Sequence, residues 1–252
     1  MFMTRSIYRA LSILSLLLCS FLLQKPVIAN EIIRYGFSHW PPYGMTEQPQ
    51  IYGINYDIGL ELEKRLGITL QPRVCPFKRC LLELESGALD LFSGFTKNDE
   101  REKYLAYSTP SYSTVSVVFY VRKGESDILK SYDDLYKLRV GHVFESHYFD
   151  PFNTDTAIQK VDVAMEQRLL PMLSSNRIDT YVGTDPNASY EVLTKGFKSK
   201  LEKATYSPNV EVPLYFAVSR KSKHLALLSK IGQAIQDMHD DGTMARIHDK
   251  YQ

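Results

Sequence analysis

Short apolar runs alternate with amphipathic helical stretches along nearly all of the 252-residue chain, and no other feature narrows the fold as much. A strand expected at Ile32–Phe37 leads into a helix over about Tyr56–Leu66, closed by Gly67, and then a strand at Ile68–Val74. In that helix Ile58, Leu62 and Leu66 recur every four residues while Glu61, Glu63, Lys64 and Arg65 cover the opposite side. A second helix is expected over about Phe77–Ser86. It ends at Gly87, where a left-handed residue is wanted, and a strand at Leu89–Ser93 follows. Strand, helix and strand in repeated succession is the signature of an α/β protein.

The pattern is echoed 89 residues downstream, where Leu84, Ser86, Gly87, Leu89, Asp90 and Gly94 line up with Leu173, Ser175, Asn176, Ile178, Asp179 and Gly183. Asn is the best substitute for Gly in a left-handed cap, so the exchange of Gly87 for Asn176 keeps the backbone geometry. Such junctions also recur by chance in α/β folds, and that alternative stays open. Between the two units lies a β-rich stretch, Ser108–Lys123. A second one, Val210–Ser219, precedes helices over about Ser222–Asp240 and Thr243–Tyr251, with Gly242 ending the first and Thr243 capping the second. Two connecting strands imply a chain that leaves one lobe, builds another and returns. No Gly/Ser/Pro linker separates the halves, so the lobes are expected to touch and hinge.

The first residues read as an address. Arg5 and Arg9 precede an apolar run, Ala10–Leu23, and Val27-Ile28-Ala29 supplies a cleavage site, so a signal peptide over residues 1–29, cut after Ala29, is expected. The run is short for a membrane span, and Leu18 before Cys19 is too large for a lipoprotein signal. Cleavage removes Arg5, Arg9 and Lys25, leaving 27 basic against 29 acidic side chains. A near-neutral exported chain has no electrostatic reason to bind nucleic acid. Of three cysteines only Cys75 and Cys80 remain, and an oxidising compartment favours joining them. Two free buried thiols are the alternative, because a helix starting at Phe77 can aim the sulfurs apart.

No hydrolase, kinase, Rossmann or redox motif is present, and neither His142 with His147 nor His239 with His248 groups as a metal site needs, so no cofactor or metal is expected. Ser93-Gly94-Phe95-Thr96-Lys97-Asn98-Asp99-Glu100-Arg101 follows a buried strand and opens a helical turn. Backbone N–H groups, the Thr96 hydroxyl and the Arg101 fork can converge there on a carboxylate. The residues alone equally allow a surface salt bridge from Arg101 to a neighbouring acid. Trp40-Pro41-Pro42-Tyr43 stiffens a loop after a strand, which makes either a wall for a ligand cleft or a hydrophobic plug; Phe77 carries the same ambiguity.

Taken in order, Trp40–Tyr43, Gly53-Ile54-Asn55-Tyr56-Asp57-Ile58, Leu84–Asp90, Ser93–Arg101, Tyr107–Tyr112, Val121–Gly124, Asp133-Asp134-Leu135 and Asp241-Gly242-Thr243 make the chain resemble the extracellular solute-binding proteins of family 3. These are the polar amino-acid receptors of ABC uptake systems. The resemblance runs from Ile33 to Tyr251. It implies a two-lobed, periplasmic-binding-protein-like (type II) clamshell with two hinge strands: lobe 1 over residues 30–119, lobe 2 over 120–210, and a return segment over 211–252. It further implies that Trp40 and Phe77 sandwich a ligand beside Tyr43, while the Gly94 backbone, the Thr96 hydroxyl and Arg101 hold its α-carboxylate.

The second lobe departs from the family pattern. Where relatives carry Gln-x-Gly-Thr this chain has Val143-Phe144-Glu145-Ser146, so only the hydroxyl at Ser146 survives. The usual acceptor of the α-amino group falls at Thr184, with Asp185 one place later. Either Asp185 takes that role through a shifted loop, or the ligand lacks an α-amino group. Phe37 stands where binders of basic amino acids place an acceptor, which argues against Lys or Arg as ligand. The implied function is a monomeric, non-enzymatic periplasmic receptor for a small carboxylate-bearing solute, delivering it to an inner-membrane ABC permease. The alternatives are a ligand-sensing partner of a membrane receptor and a dehydratase-type enzyme using Glu145.

Overall fold

The computed structural model describes residues 31–47 and 50–251, so the expected signal peptide lies outside the described residues. Twelve strands are present among the described residues: β1 (Ile32–Phe37), β2 (Met45–Glu47), β3 (Gln50–Tyr52), β4 (Thr69–Val74), β5 (Leu91–Phe95), β6 (Leu105–Tyr107), β7 (Ser113–Arg122), β8 (Arg139–Val143), β9 (Gln159–Val163), β10 (Thr180–Asp185), β11 (Leu201–Lys203) and β12 (Glu211–Ser219). The α-helices among the described residues are α1 (Ile54–Leu66), α2 (Phe77–Ser86), α3 (Asp99–Glu102), α4 (Leu169–Ser174), α5 (Asn187–Thr194), α6 (Leu228–Asp240) and α7 (Thr243–Asp249).

The main sheet runs β4-β1-β5-β12-β7-β10-β8-β9. One half holds three parallel strands, β4-β1-β5, flanked by the antiparallel β12; the other holds β9-β8-β10 flanked by the antiparallel β7. In both halves the first strand in sequence sits between the second and third. The repeat suspected from the sequence is therefore a repeat of topology. β12 belongs to both halves, since Glu211–Leu214 pairs with Ser113–Ser116 of β7 while Tyr215–Val218 pairs with β5. β7 and β12 are the two hinge strands of a two-lobed clamshell.

Local chemistry explains the elements. Ile58 and Leu62 of α1 are fully buried, and Gly67 ends the helix at φ 64°. α2 ends at Gly87 with φ 82°, whose N–H donates to the Leu84 carbonyl. Among the boundaries that differ from the sequence reading, three have a visible local cause. β5 starts at Leu91 rather than Leu89, because the backbone N–H of Asp90 donates to the Arg34 carbonyl and its carboxylate is bound to the Arg34 side chain. α6 starts at Leu228, after a single 3-10 turn at Leu225–Leu227, because Ser222 is turned toward Asp90. Gly242, not Thr243, occupies the cap of α7 at φ 74°, and the Thr243 hydroxyl instead accepts from Arg65 and Arg246.

Candidate functional site

A cavity of about 450 Å³ opens between the two lobes, at the C-terminal ends of the parallel strands. Trp40, Phe77, Gly94, Thr96 and Arg101 line it from the first lobe, and Ser146 and Thr184 from the second. Two of the expected site residues are not on its wall. Tyr43 is 1% exposed and lies under Trp40, the rings stacked 4.5 Å apart, with its hydroxyl bonded to Ser113. It stiffens the wall that Trp40 presents. Asp185 accepts from the Ser189 N–H at 3.1 Å and hydroxyl at 2.7 Å and is paired with Lys203. Its carboxylate is committed within the second lobe.

The first-lobe wall follows from two backbone devices. The Trp40 and Gly44 backbones exchange hydrogen bonds at 2.7 and 2.8 Å, closing a turn that holds the indole over β5. The β5–β12 register slips so that Tyr215 faces Phe95 while Phe216 faces Ser93, leaving Gly94 as the extra residue of a bulge at φ 93°. A Cβ there would stand 3.3 Å from the Trp40 ring, so only Gly lets the strand backbone approach this wall.

Arg101 is 5% exposed, not the surface ion-pairing residue that the local sequence equally allowed. The neighbouring Glu100 is taken by Lys103. Asn98 caps the short helix α3 by accepting from the Arg101 N–H at 2.8 Å. The guanidinium lies near the rings of Phe77 and Phe95, at 5.4 and 5.2 Å from their centroids. It donates to the Thr96 carbonyl at 3.3 Å and, across the cleft, to the Glu145 carbonyl at 2.6 Å. Burial lowers its pKa, and among the described residues no carboxylate pairs with it. A buried cation bonded only to carbonyls is a ready partner for an anion, since pairing would offset its desolvation.

Other contacts also cross the cleft. The Asn187 amide donates to the Pro41 carbonyl at 2.5 Å, His39 Nε2 stands 3.5 Å from Glu191 Oε1, and the Lys78 ammonium sits 3.8 Å from the Phe144 ring centroid. The lobes are therefore closed on one another around the cavity. Glu145, at φ 64°, turns its carbonyl toward Arg101 while the residue itself is exposed. The carboxyl assigned to a dehydratase-type reaction is thus off the cavity wall.

Cys75 and Cys80 are joined by a disulfide with Cα atoms 5.6 Å apart, which ties the end of β4 to α2 and so to Phe77. The sequence reading passed over His39, Tyr148 and Glu166, all of which line the cavity. Glu166 precedes a helix, where an acidic residue is ordinary, so nothing local marks it. Burial, with the neighbouring Glu191 and Asp185 carboxylates, holds its carboxyl well above the usual carboxylate range.

The model of the bacterial extracellular solute-binding proteins, family 3, matches residues 33–252. The Probable amino-acid-binding protein YxeM of Bacillus subtilis is 23% identical over 214 residues, covering 83% of this chain and 79% of the relative. The L-cystine-binding protein TcyJ of Escherichia coli is 24% identical over 217 residues, covering 84% of this chain and 79% of the relative. A solved ancestral arginine-binding protein bound to arginine superposes with a TM-score of 0.76 at 25% identity, over 88% of this chain and 98% of its own.

Proposed function

The chain belongs to the bacterial extracellular solute-binding proteins, family 3, and from that membership we propose that it is a receptor closing on one small carboxylate-bearing solute, an amino acid or related organic acid, for delivery to an inner-membrane ABC permease. The single observation that carries the ligand class is Arg101, a buried guanidinium on the cavity wall with no carboxylate partner among the described residues. Trp40 and Phe77 supply apolar walls, and Gly94, Thr96 and Ser146 surround the anion. Closure works by population shift, because only the shut cleft lets both lobes touch the solute.

We place the receptor in the periplasm after cleavage behind Ala29, acting as a monomer, with lobes over residues 30–119 and 211–252 and over residues 120–210. Binding without turnover is the reading in keeping with an exposed Glu145. Trp40 is the only Trp, so intrinsic fluorescence reports on the cavity wall. Native mass spectrometry of the purified chain, then fluorescence titration with the twenty amino acids and a panel of organic acids, tests the proposal. Arg101→Ala should weaken every carboxylate ligand by about 2–5 kcal/mol. Equal affinity in the variant and the parent would sink the ligand class.

A further inference from the structure

The second lobe carries three acidic side chains in electrostatic contact, Glu166, Asp185 and Glu191, of which Glu166 lines the cavity. Asp185 is matched by Lys203 and Ser189. Glu191, itself 1% exposed, has His39 at 3.5 Å. Glu166 forms no ion pair among the described residues: its Oε1 is buried without a hydrogen-bond partner, and the residue lines the cavity that Arg101 lines from the other lobe. Room for it comes from Gly183, where a Cβ would stand 2.7 Å from Glu166 Oε1. The other ionisable groups facing it are phenols, Tyr148, Tyr181 and Tyr120, none of which supplies a cation.

An anion-seeking guanidinium and a cation-seeking carboxyl thus face one cavity from opposite lobes. We propose that Glu166 is the acceptor for a cationic nitrogen of the solute, so that the ligand is an amino-bearing carboxylate bridging Arg101 and Glu166, with neither Thr184 nor Asp185 as its ammonium partner. This rests on the carboxylate-receptor reading above and narrows it to zwitterions. It also resolves the departure at Thr184, since the acid missing there is supplied from the turn before α4. The raised pKa of Glu166 adds a signature. In the ligand-free protein the carboxyl holds its proton above the usual carboxylate range, and an arriving ammonium favours the carboxylate. Binding therefore releases a proton, and affinity rises as pH climbs above the ordinary carboxylate range, where an amino acid's ammonium stays charged.

The test compares the parent with Glu166→Gln, a near-isosteric change that keeps a neutral hydrogen-bonding side chain, by calorimetry in buffers of different ionisation enthalpy. The probes are the twenty amino acids, their 2-oxo acid counterparts, and ω-amino acids without an α-amine. Glu166→Gln should lose roughly 30-fold or more for amino-bearing ligands, lose the proton release, and bind any 2-oxo acid as the parent does. Preference for α-amino or for ω-amino probes tells which nitrogen reaches Glu166. A parent that prefers 2-oxo acids, or a folded Glu166→Gln that keeps amino-acid affinity and proton release, overturns the assignment while the carboxylate reading stands. A parent indifferent to every carboxylate, or an Arg101→Ala variant as tight as the parent, overturns the receptor reading, and the assignment with it.

Discussion

The two lobes are built by one recipe and present different side chains to the cavity between them. In the first, Arg34 donates from its backbone N–H and Nε to Asp90 Oδ2, and from Nη2 to Asp90 Oδ1 and the Gly87 carbonyl. In the second, Arg139 makes the same four bonds to Asp179 and the Asn176 carbonyl. Each clasp ties the start of the lobe's first strand to the turn before its third. Past that turn the lobes diverge. Gly94 lets a strand backbone meet Trp40 beside Arg101, whereas Gly183 makes room for Glu166. The lobes share a topology, and a few unshared side chains decide what each wall presents.

The clasps differ in burial, which sets the largest expected effect on stability. The Asp90 side chain is 2% exposed and also accepts from Ser222 at 2.6 Å, while that of Asp179 is 20% exposed. Arg34→Ala should cost about 2–3 kcal/mol, softened because Ser222 and the backbone N–H of residue 34 still bond Asp90. Arg139→Ala should cost about 1 kcal/mol. Denaturant titration of the two variants compares them, and equal losses would show that burial does not separate the clasps. The same contrast has a pH signature. Asp90 is held down to about 2, and Asp179 is lowered by its bonds from Arg139. An acid with a depressed folded pKa stabilises above its unfolded value near 4 and loses that contribution as pH falls through the folded value. Acid unfolding in Arg34→Ala should therefore begin at higher pH than in the parent.

Gly94→Ala comes next. It forces a Cβ into a positive-φ bulge against Trp40 and should cost about 1–2 kcal/mol, weakening binding of every carboxylate alike. Weakening confined to amino-bearing ligands would mean that Gly94 serves the wrong wall. The smallest effect belongs to the caps. Asn176 holds φ 59° where the first lobe uses Gly87. Asn176→Gly should gain no more than about 1 kcal/mol from relief of the left-handed strain, read as a small rise in thermal midpoint. A loss would mean that the Asn176 side chain, whose Oδ1 accepts from Arg139 at 3.3 Å, outweighs that relief.

Much of this molecule is legible along the chain. The βαβ alternation, the closing glycines at 67 and 87, the Leu84–Gly94 echo and the Trp40–Tyr43 loop each rest on local rules of periodicity, capping and stiffness. These rules act within about ten residues. The proposed carboxylate end of the site is also nearly contiguous, since Gly94, Thr96 and Arg101 fall on the stretch from β5 to α3. Other features depend on residues far apart in sequence. Whether Arg101 faces solvent or the cleft is decided by Phe77, Phe95 and the Glu145 carbonyl. That Asp185 is spent on Lys203 depends on β11 reaching beside β7. Glu166 looks like any acid ahead of a helix, and only its packing against Gly183 and its nearness to Glu191 and Asp185 set its Oε1 apart. Sequence by itself determined the α/β repeat and the strand-to-helix turn from Gly94 to Arg101, because backbone preference and burial periodicity are local. Tertiary structure decided which acids are matched by a cation and which stands unpaired at the cavity, because desolvation and ion pairing depend on which distant groups share a low-dielectric space.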